Sequence, residues 1–189
     1  QFVSASGTNS NNGEINVDGG MLEFSRVLTN STVSPSSGLI VARDAMLRFN
    51  GGLSNSGSVT FAAGVSNVFG DVSNLNNLTT PGRIVVTAGA QANFFDDVVN
   101  SGSIQVSGSG GLESTAVFLG SYSGNGVTGN GHIFMEGDVR PGFSPGTMAF
   151  GGDVSFGPTS VLEIELGGVT AGTQYDRVTV AESAVLGGS

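Results

Sequence analysis

The sequence predicts an all-β fold: a right-handed parallel β-helix, or β-solenoid, with three strands per coil and a C-terminal β module. Three observations carry this. Asn/Gly turns recur along the chain at a spacing suited to one coil, and apolar strand residues fall into two recurring columns, one of Phe and one of Ile or Val. In addition, 32 of the 189 residues are Gly, so every window long enough for a 3.6-residue period is interrupted.

Taken in order, Gly13-Glu14-Ile15-Asn16-Val17 closes an early unit, and Met21 to Asp44 forms the next. Three stretches then fall on one another: Ala45 to Gly64 (AMLRFNGGLSNSGSVTFAAG), Val65 to Gly89 and Ala90 to Gly110. Each has an apolar strand ending in Phe, a Gly/Asp turn, a strand ending in Asn, a second turn, and a strand with Ile or Val. Gly111 to Gly137 continues the pattern, so residues 1–138 are assigned to the repeats.

One column holds Phe24, Phe49, Phe69, Phe95, Phe118 and Phe150; the other holds Ile15, Ile40, Val59, Ile84, Ile104 and Ile133. Spacings of about 19 to 32 residues suit a coil of three strands with corner loops of variable length. In such a coil like residues stack on one another about 4.8 Å apart, so both columns are expected inside as ladders. Gly51, Gly52, Gly70, Gly102, Gly126 and Gly131 are expected at corners with positive φ. Asn55, Asn74 and Asn100 are expected to bond their own backbone there or to stack as ladders. A β-sandwich with coincidental turn spacing is the alternative.

Residues 139–189 read as a Pro-Gly-bounded module that continues or caps the coils. Arg140-Pro141-Gly142-Phe143-Ser144-Pro145-Gly146-Thr147 carries two Pro-Gly turns, because Pro presets φ and Gly accepts the positive φ of the next turn position. In the strand from Ser160 to Leu166, Leu162, Ile164 and Leu166 alternate with Glu163 and Glu165, giving a buried and a wet face. The two glutamates are expected to pair with Arg177.

The run RPGFSPGT, followed by GDVSFGPTSVLEIELGG, GTQYDRVTV and VLGG, resembles the terminal module of large bacterial extracellular proteins with autotransporter-associated β-strand repeats. Many of those end in a PEP-CTERM sorting signal. NSGSIQV, STAVFLG and GNGHIFMEGD resemble the repeats that lead into that module, and the similarity extends from about Met21 onward. The resemblance implies secretion, with display at the cell surface or incorporation into matrix or appendages, in a family most of whose members have no assigned activity.

Composition narrows the function classes. Fifteen carboxylates stand against six basic residues, all of them Arg, for a formal charge of -9. Nucleic acid needs a clustered basic surface, and an anionic membrane needs basic residues too, so neither is an expected partner. No stretch approaches the roughly 20 apolar residues that span a bilayer, so direct membrane insertion is not expected. The absence of Cys removes disulfides and thiol chemistry together. Gln1-Phe2-Val3-Ser4 has no charged n-region, and Ala184 to Ser189 stops where a strand begins. The expectation is therefore a processed or excised segment whose two ends are covered by continuing chain or by another subunit, as in a head-to-tail filament.

Candidates for chemistry are few. Asp71, Asp96, Asp97 and Asp153 recur after the Phe column, and stacked on one corner they would offer oxygens to Ca²⁺; the plain reading is Asp in turns. His132, the sole histidine, excludes a multi-His metal site within the chain and reads as a strand residue. No G-x-S-x-G elbow occurs, and Gly108-Ser109-Gly110-Gly111 lacks the G-K-[ST] of a phosphate loop. Tyr122 and Tyr175 read as packing residues. Asn30-Ser31-Thr32 and Asn77-Leu78-Thr79 match the glycosylation pattern.

The expected role is a non-catalytic structural or adhesive segment of a secreted bacterial surface, matrix or fibre protein, with no catalytic residue and no cofactor assigned. Self-association and extracellular polysaccharide are the expected contacts. The alternatives are a carbohydrate-active β-helix enzyme and a Ca²⁺-dependent carbohydrate-binding adhesin.

Overall fold

A computed structural model describes residues 7–33, 36–77 and 80–187. Among them there is no helix; 24 strands form mostly parallel sheets. Gly, Asn and Ser punctuate the sequence every few residues, so the strands are short and none outlasts a corner except Ser58–Phe69.

The strands fall into three stacks, visited in rotation. The first is a 7-stranded sheet of Asn9–Asn11, Leu28–Asn30, Leu53–Asn55, Val72–Asn74, Val98–Asn100, Tyr122–Gly124 and Val139–Pro141, all parallel. The second holds Glu14–Asp18, Leu39–Arg43, the start of Ser58–Phe69, Arg83–Val86, Ser103–Val106 and Val127–Thr128. The third holds Met21–Phe24, Met46–Phe49, the end of Ser58–Phe69, Ala90–Phe94, Thr115–Phe118, His132–Met135, Val154–Phe156 and Ala184–Leu186. Because Ser58–Phe69 belongs to both, the second and third stacks form one 13-stranded sheet. Among the described strands, only Thr32–Val33 with Ser36–Ser37 pairs antiparallel.

The aliphatic column runs through the second stack. Ile15, Ile40, Val59, Ile84 and Ile104 are in direct register and continue into Val127. Gly151 N–H donates to the Val127 carbonyl at 2.9 Å, which sets Phe150 over Val127, and Phe150 in turn pairs with Val180. Phe150 therefore belongs to the aliphatic column. Ile133 does not: it lies in the third stack between Ala116 and Val154.

The Phe column is two separate features. Inside the third stack run Leu22, Leu47, Val68, Phe94, Phe118, Met135, Phe156 and Leu186, with the Phe94 and Phe118 rings stacked at 5.0 Å. Phe24 and Phe49, two residues further along their strands, also face inward and stack at 6.3 Å. Phe69 and Phe95 stack at 4.4 Å on the outer face, with the Arg48 guanidinium 4.8 Å from the Phe69 ring. Val68 and Phe94 take the inward positions, and a one-residue offset turns the following side chain to solvent. Each fully buried Phe contributes about 1.5–3 kcal/mol of transfer free energy.

The first stack carries a polar ladder through the core. Asn11 Nδ2 donates to Asn30 Oδ1, Asn30 to Asn55, Asn55 to Asn74 and Asn74 to Asn100, each at 2.8 Å and across 19, 25, 19 and 26 residues of chain. The second hydrogen of each of the first four amides reaches a backbone carbonyl, those of Leu39, Ser58, Arg83 and Ser103 in turn. Asn30, Asn55, Asn74 and Asn100 are fully buried, and such groups persist in a core only when bonded. Of the corner glycines, Gly52 and Gly70 have positive φ of 92° and 98°. Gly51, Gly102, Gly126 and Gly131 are instead fixed by crowding: a Cβ on Gly102 would meet the Gly82 carbonyl oxygen.

Beyond residue 138 the same stacks continue. Val139 pairs with Tyr122 and then bridges to Leu162, Arg177–Val180 pairs with Thr147–Phe150, and Ala184–Leu186 pairs with Val154–Phe156, all parallel. Asp176 fastens the Pro-Gly loop. Its buried carboxylate accepts from Gly146 N–H at 2.7 Å and from Glu165 N–H at 2.8 Å. The glutamates do not take Arg177. Glu163 takes Arg140 Nε at 2.6 Å and Glu165 the Ser144 hydroxyl at 2.6 Å, because Arg140 and Ser144 lie one pass below them.

Candidate functional site

A concave site that holds the sole histidine lies at the corner between the second and third stacks. Ser109 and Leu112 form an antiparallel bridge, and Gly110 and Gly111 at its tip have positive φ of 63° and 78°. Asn130 Oδ1 tethers this loop by accepting from Gly108 N–H at 3.0 Å. Loop, strand and the next corner enclose a cavity of about 290 Å³ lined by Glu113, His132 and Asp153.

Register brings these three together from successive passes. His132 pairs with Thr115 and points outward, opposite to inward Ile133. Glu113 lies two residues before Thr115, and Asp153 immediately precedes Val154, the partner of Ile133. Asp153 Oδ2 is 3.2 Å from Nε2 and Glu113 Oε2 is 3.8 Å from Nδ1. The imidazole thus stands between two carboxylates, one at each ring nitrogen.

This arrangement orients an imidazole through both of its ring nitrogens. It does not converge carboxylates on one point, since they approach opposite edges of the ring. Ser114, next to Glu113, is buried in the core, and its Oγ has no hydrogen-bond partner. Among the described residues no group of three or more His, Asp or Glu side chains gathers to hold a metal ion.

The aspartates singled out from the sequence separate. Asp71 and Asp97 occupy one corner column, since Val72 N–H donates to the Asp97 carbonyl and Leu53 N–H to that of Asp71. Asp97 Oδ1 accepts from Ser121 N–H at 2.9 Å, and Asp96 Oδ2 from Gly70 N–H at 2.7 Å. Asp153 is at the His132 corner, so a stack of Asp71, Asp97 and Asp153 does not form; variable coil lengths put it elsewhere. The bonds of Asp96 and Asp97 are not local to a turn: the two accept from N–H groups 26 and 24 residues away, so they tie one pass to the next.

Other surfaces are as informative. The outer Phe69 and Phe95 rings turn their faces to each other and to Arg48, which leaves edges, not a flat stacking platform, toward solvent. Asn30 is buried with both amide hydrogens committed to Asn55 and Ser58, so the Asn30-Ser31-Thr32 acceptor is closed in the folded chain. For Asn77-Leu78-Thr79, residues 78 and 79 lie outside the described residues.

Two sets of residues escape a reading of the sequence. Glu113 has no local signal, because its partners are a coil away. Asn11 and Asn30 are different, for Asn30 does have one: Leu28-Thr29-Asn30, Leu53-Ser54-Asn55, Val72-Ser73-Asn74 and Val98-Val99-Asn100 all end a short strand in the same way. No family model, no curated protein and no solved structure matches this chain.

Proposed function

We propose that the chain is a right-handed parallel β-solenoid that serves as a non-catalytic structural segment of a secreted bacterial surface, matrix or fibre protein. The observation that supports it best is the asparagine ladder, a chain of 2.8 Å bonds running through successive passes in one direction. Three strands per pass, each parallel to its counterpart in the next, give a stack with a single axis. The right hand follows from the rule for parallel crossovers in a twisted sheet. At one strand spacing per pass the eight strands of the third stack extend roughly 35 Å.

A buried ladder of this kind resists register shifts between passes, because a strand displaced by one residue along its own direction turns its Asn outward and breaks bonds on both sides. An acidic surface without Lys adds little for nucleic acid or membrane to grip. The sequence resemblance to surface proteins with autotransporter-associated repeats, with their secreted location, agrees with such a scaffold.

The experiment is direct. Antibody raised against the chain should label the outside of intact producing cells or the material they shed; labelling only after permeabilisation would overturn the surface role. A panel of neutral and acidic polysaccharides should yield no new reducing ends or unsaturated products. Cleavage abolished by His132→Ala would favour the second reading, a carbohydrate-active enzyme, for which the Glu113, His132 and Asp153 cavity is the supporting observation.

A further inference from the structure

We propose that the cavity beside the Pro-Gly loop, between Phe143 and the ion pair of Arg140 with Glu163, binds a neutral sugar unit of an extracellular polysaccharide. This rests on the non-catalytic scaffold above and deepens it by naming what the scaffold holds.

The cavity lies on the side of the stack, across three successive passes. Ser123 comes from the first of them, the loop from Arg140 to Ser144 from the next, and Glu163 and Glu165 from the one after. Ser123 and Arg140 are in direct register, and the bridge from Val139 to Leu162 sets Glu163 over Arg140. A further pass stacked on Glu163 would lengthen the wall and leave this lateral opening as it is. The volume is about 140 Å³, which admits part of one sugar ring while the rest of a glycan runs outside.

One wall presents an aromatic ring. Phe69 and Phe95 cover each other's faces, whereas Phe143 is 58% exposed. Gly142 and Ser144 on either side of it have positive φ of 66° and 61°. Ser144 is one of two non-Gly residues in that region among the described residues, and such backbone persists only where its surroundings hold it. Here the Ser144 hydroxyl donates to Glu165 at 2.6 Å, and the buried Asp176 carboxylate takes Gly146 N–H at 2.7 Å. A ring held outward on so fixed a loop adds nothing to the core. The apolar face of a pyranose is a matching cover for it.

The polar groups beside the ring select the ligand. Arg140 commits Nε to Glu163 Oε2 at 2.6 Å, which leaves its Nη donors and Glu163 Oε1 without a hydrogen bond among the described residues. Glu165 likewise commits only Oε1, to Ser144. Donors and acceptors therefore share one opening, and a hydroxyl, which both donates and accepts, satisfies either kind. An anionic sugar is disfavoured, because Glu163, Glu165 and Asp176 outnumber Arg140. A cation matches less well than a hydroxyl, because each of these carboxylates already accepts, from Arg140, from Ser144 and from two backbone N–H groups in turn.

The full chain is tested by affinity electrophoresis in gels containing galactomannan, mixed-linkage β-glucan or dextran, with polygalacturonate, chitosan and oligolysine as charged controls. At least one neutral glycan should retard the chain, and polygalacturonate should not. Phe143→Ala should weaken that retardation at least about ten-fold. The chain has no Trp, so Phe143→Trp keeps an aromatic ring and makes it the sole Trp; it should retain binding and shift its emission as the same glycan is added. If Phe143→Ala melts earlier than the parent, Arg140→Ala, on the outer face, decides in its place. Retardation by no neutral glycan, retardation indifferent to both substitutions, or retention by chitosan or oligolysine alone overturns the site. Surface labelling reads the location separately: a labelled chain that holds no glycan loses only this site, whereas a glycan-binding chain found only inside the cell loses only the surface role.

Discussion

Tyr122 ends the asparagine ladder: its phenol oxygen accepts from Asn100 Nδ2 at 3.0 Å and donates to the Asn125 carbonyl at 2.6 Å. The residue opposite Asn100 in the next pass is Gly124, which has no side chain. The Tyr122 ring, two positions earlier, fills that gap from the neighbouring column. Above it the corresponding positions are apolar, Val139 and Pro141, so the phenol divides a polar half of the first stack from an apolar half.

Tyr122→Phe should cost about 1–3 kcal/mol, since it leaves a buried Asn100 hydrogen without its phenol acceptor and the Asn125 carbonyl with the Asn100 amide alone. Burial pushes the phenol well above its ordinary value near 10, with the Asn100 hydrogen bond opposing this in part. A group whose pKa is raised in the folded state contributes stability that is complete below the unfolded value and is lost as pH climbs toward the folded one. Alkaline denaturation should therefore steepen above about pH 10 in the parent and less in Tyr122→Phe. Equal slopes in the two proteins would refute the assignment.

Asn74 sits mid-ladder and makes three side-chain bonds: it accepts from Asn55, and donates to Asn100 and to the Ser103 carbonyl. Asn74→Ala should destabilise by about 2–4 kcal/mol, from a small cavity plus orphaned groups on both neighbours. The pair Asn55→Ala and Asn74→Ala should cost less than the sum of the singles, because they share a bond. Urea unfolding of the four proteins measures this, and strict additivity would mean that the amides do not act as a chain.

Much of the architecture is legible in the sequence because stacking makes a coil repeat its neighbour's side-chain pattern. The row Ile15, Ile40, Val59, Ile84 and Ile104 reads in register, since each lies mid-strand in an alternating apolar segment. The Phe row does not, because NFFDD offers two adjacent rings and composition does not say which faces inward; Val68 opposite Phe94 decides it. Ile133 and Phe150 leave their expected columns because passes shorten near Val127–Thr128, and a row traced by residue type alone then crosses from one stack to another. The His132 corner stays hidden for a related reason: Glu113, His132 and Asp153 adjoin only once the chain between Ser107 and Ser114 is looped out.

Gly102 separates crowding from backbone freedom. Its φ is ordinary, yet a Cβ there would meet the Gly82 oxygen, with Asn74 Nδ2 2.8 Å away. Gly102→Ala should therefore destabilise by about 1–3 kcal/mol, the cost typical of overpacking. Gly13 also lacks a positive φ and has nothing within 4 Å of an added Cβ. Gly13→Ala should be neutral or stabilising by up to about 1 kcal/mol, through the unfolded chain. Thermal unfolding of both variants provides the contrast, and a comparable loss at Gly13 would remove crowding as the cause.

Asp176 is the last link between the Pro-Gly loop and the final pass. One oxygen holds Gly146 N–H and the other Glu165 N–H, and the side chain is only 6% exposed. Asp176→Ala orphans both donors and should cost about 2–4 kcal/mol. Asp176→Asn keeps one acceptor, aims an amide hydrogen at the other N–H, and should fall between. The damage should be local, because residues 139–187 join the rest through the parallel edges of Tyr122–Gly124, Val127–Thr128 and His132–Met135. Hydrogen exchange should accelerate for Gly146, Glu165 and Arg177–Val180 in Asp176→Ala while the ladder region from Asn30 to Asn100 keeps its protection. Uniform acceleration along the whole chain would show instead that the stack unfolds as a single unit.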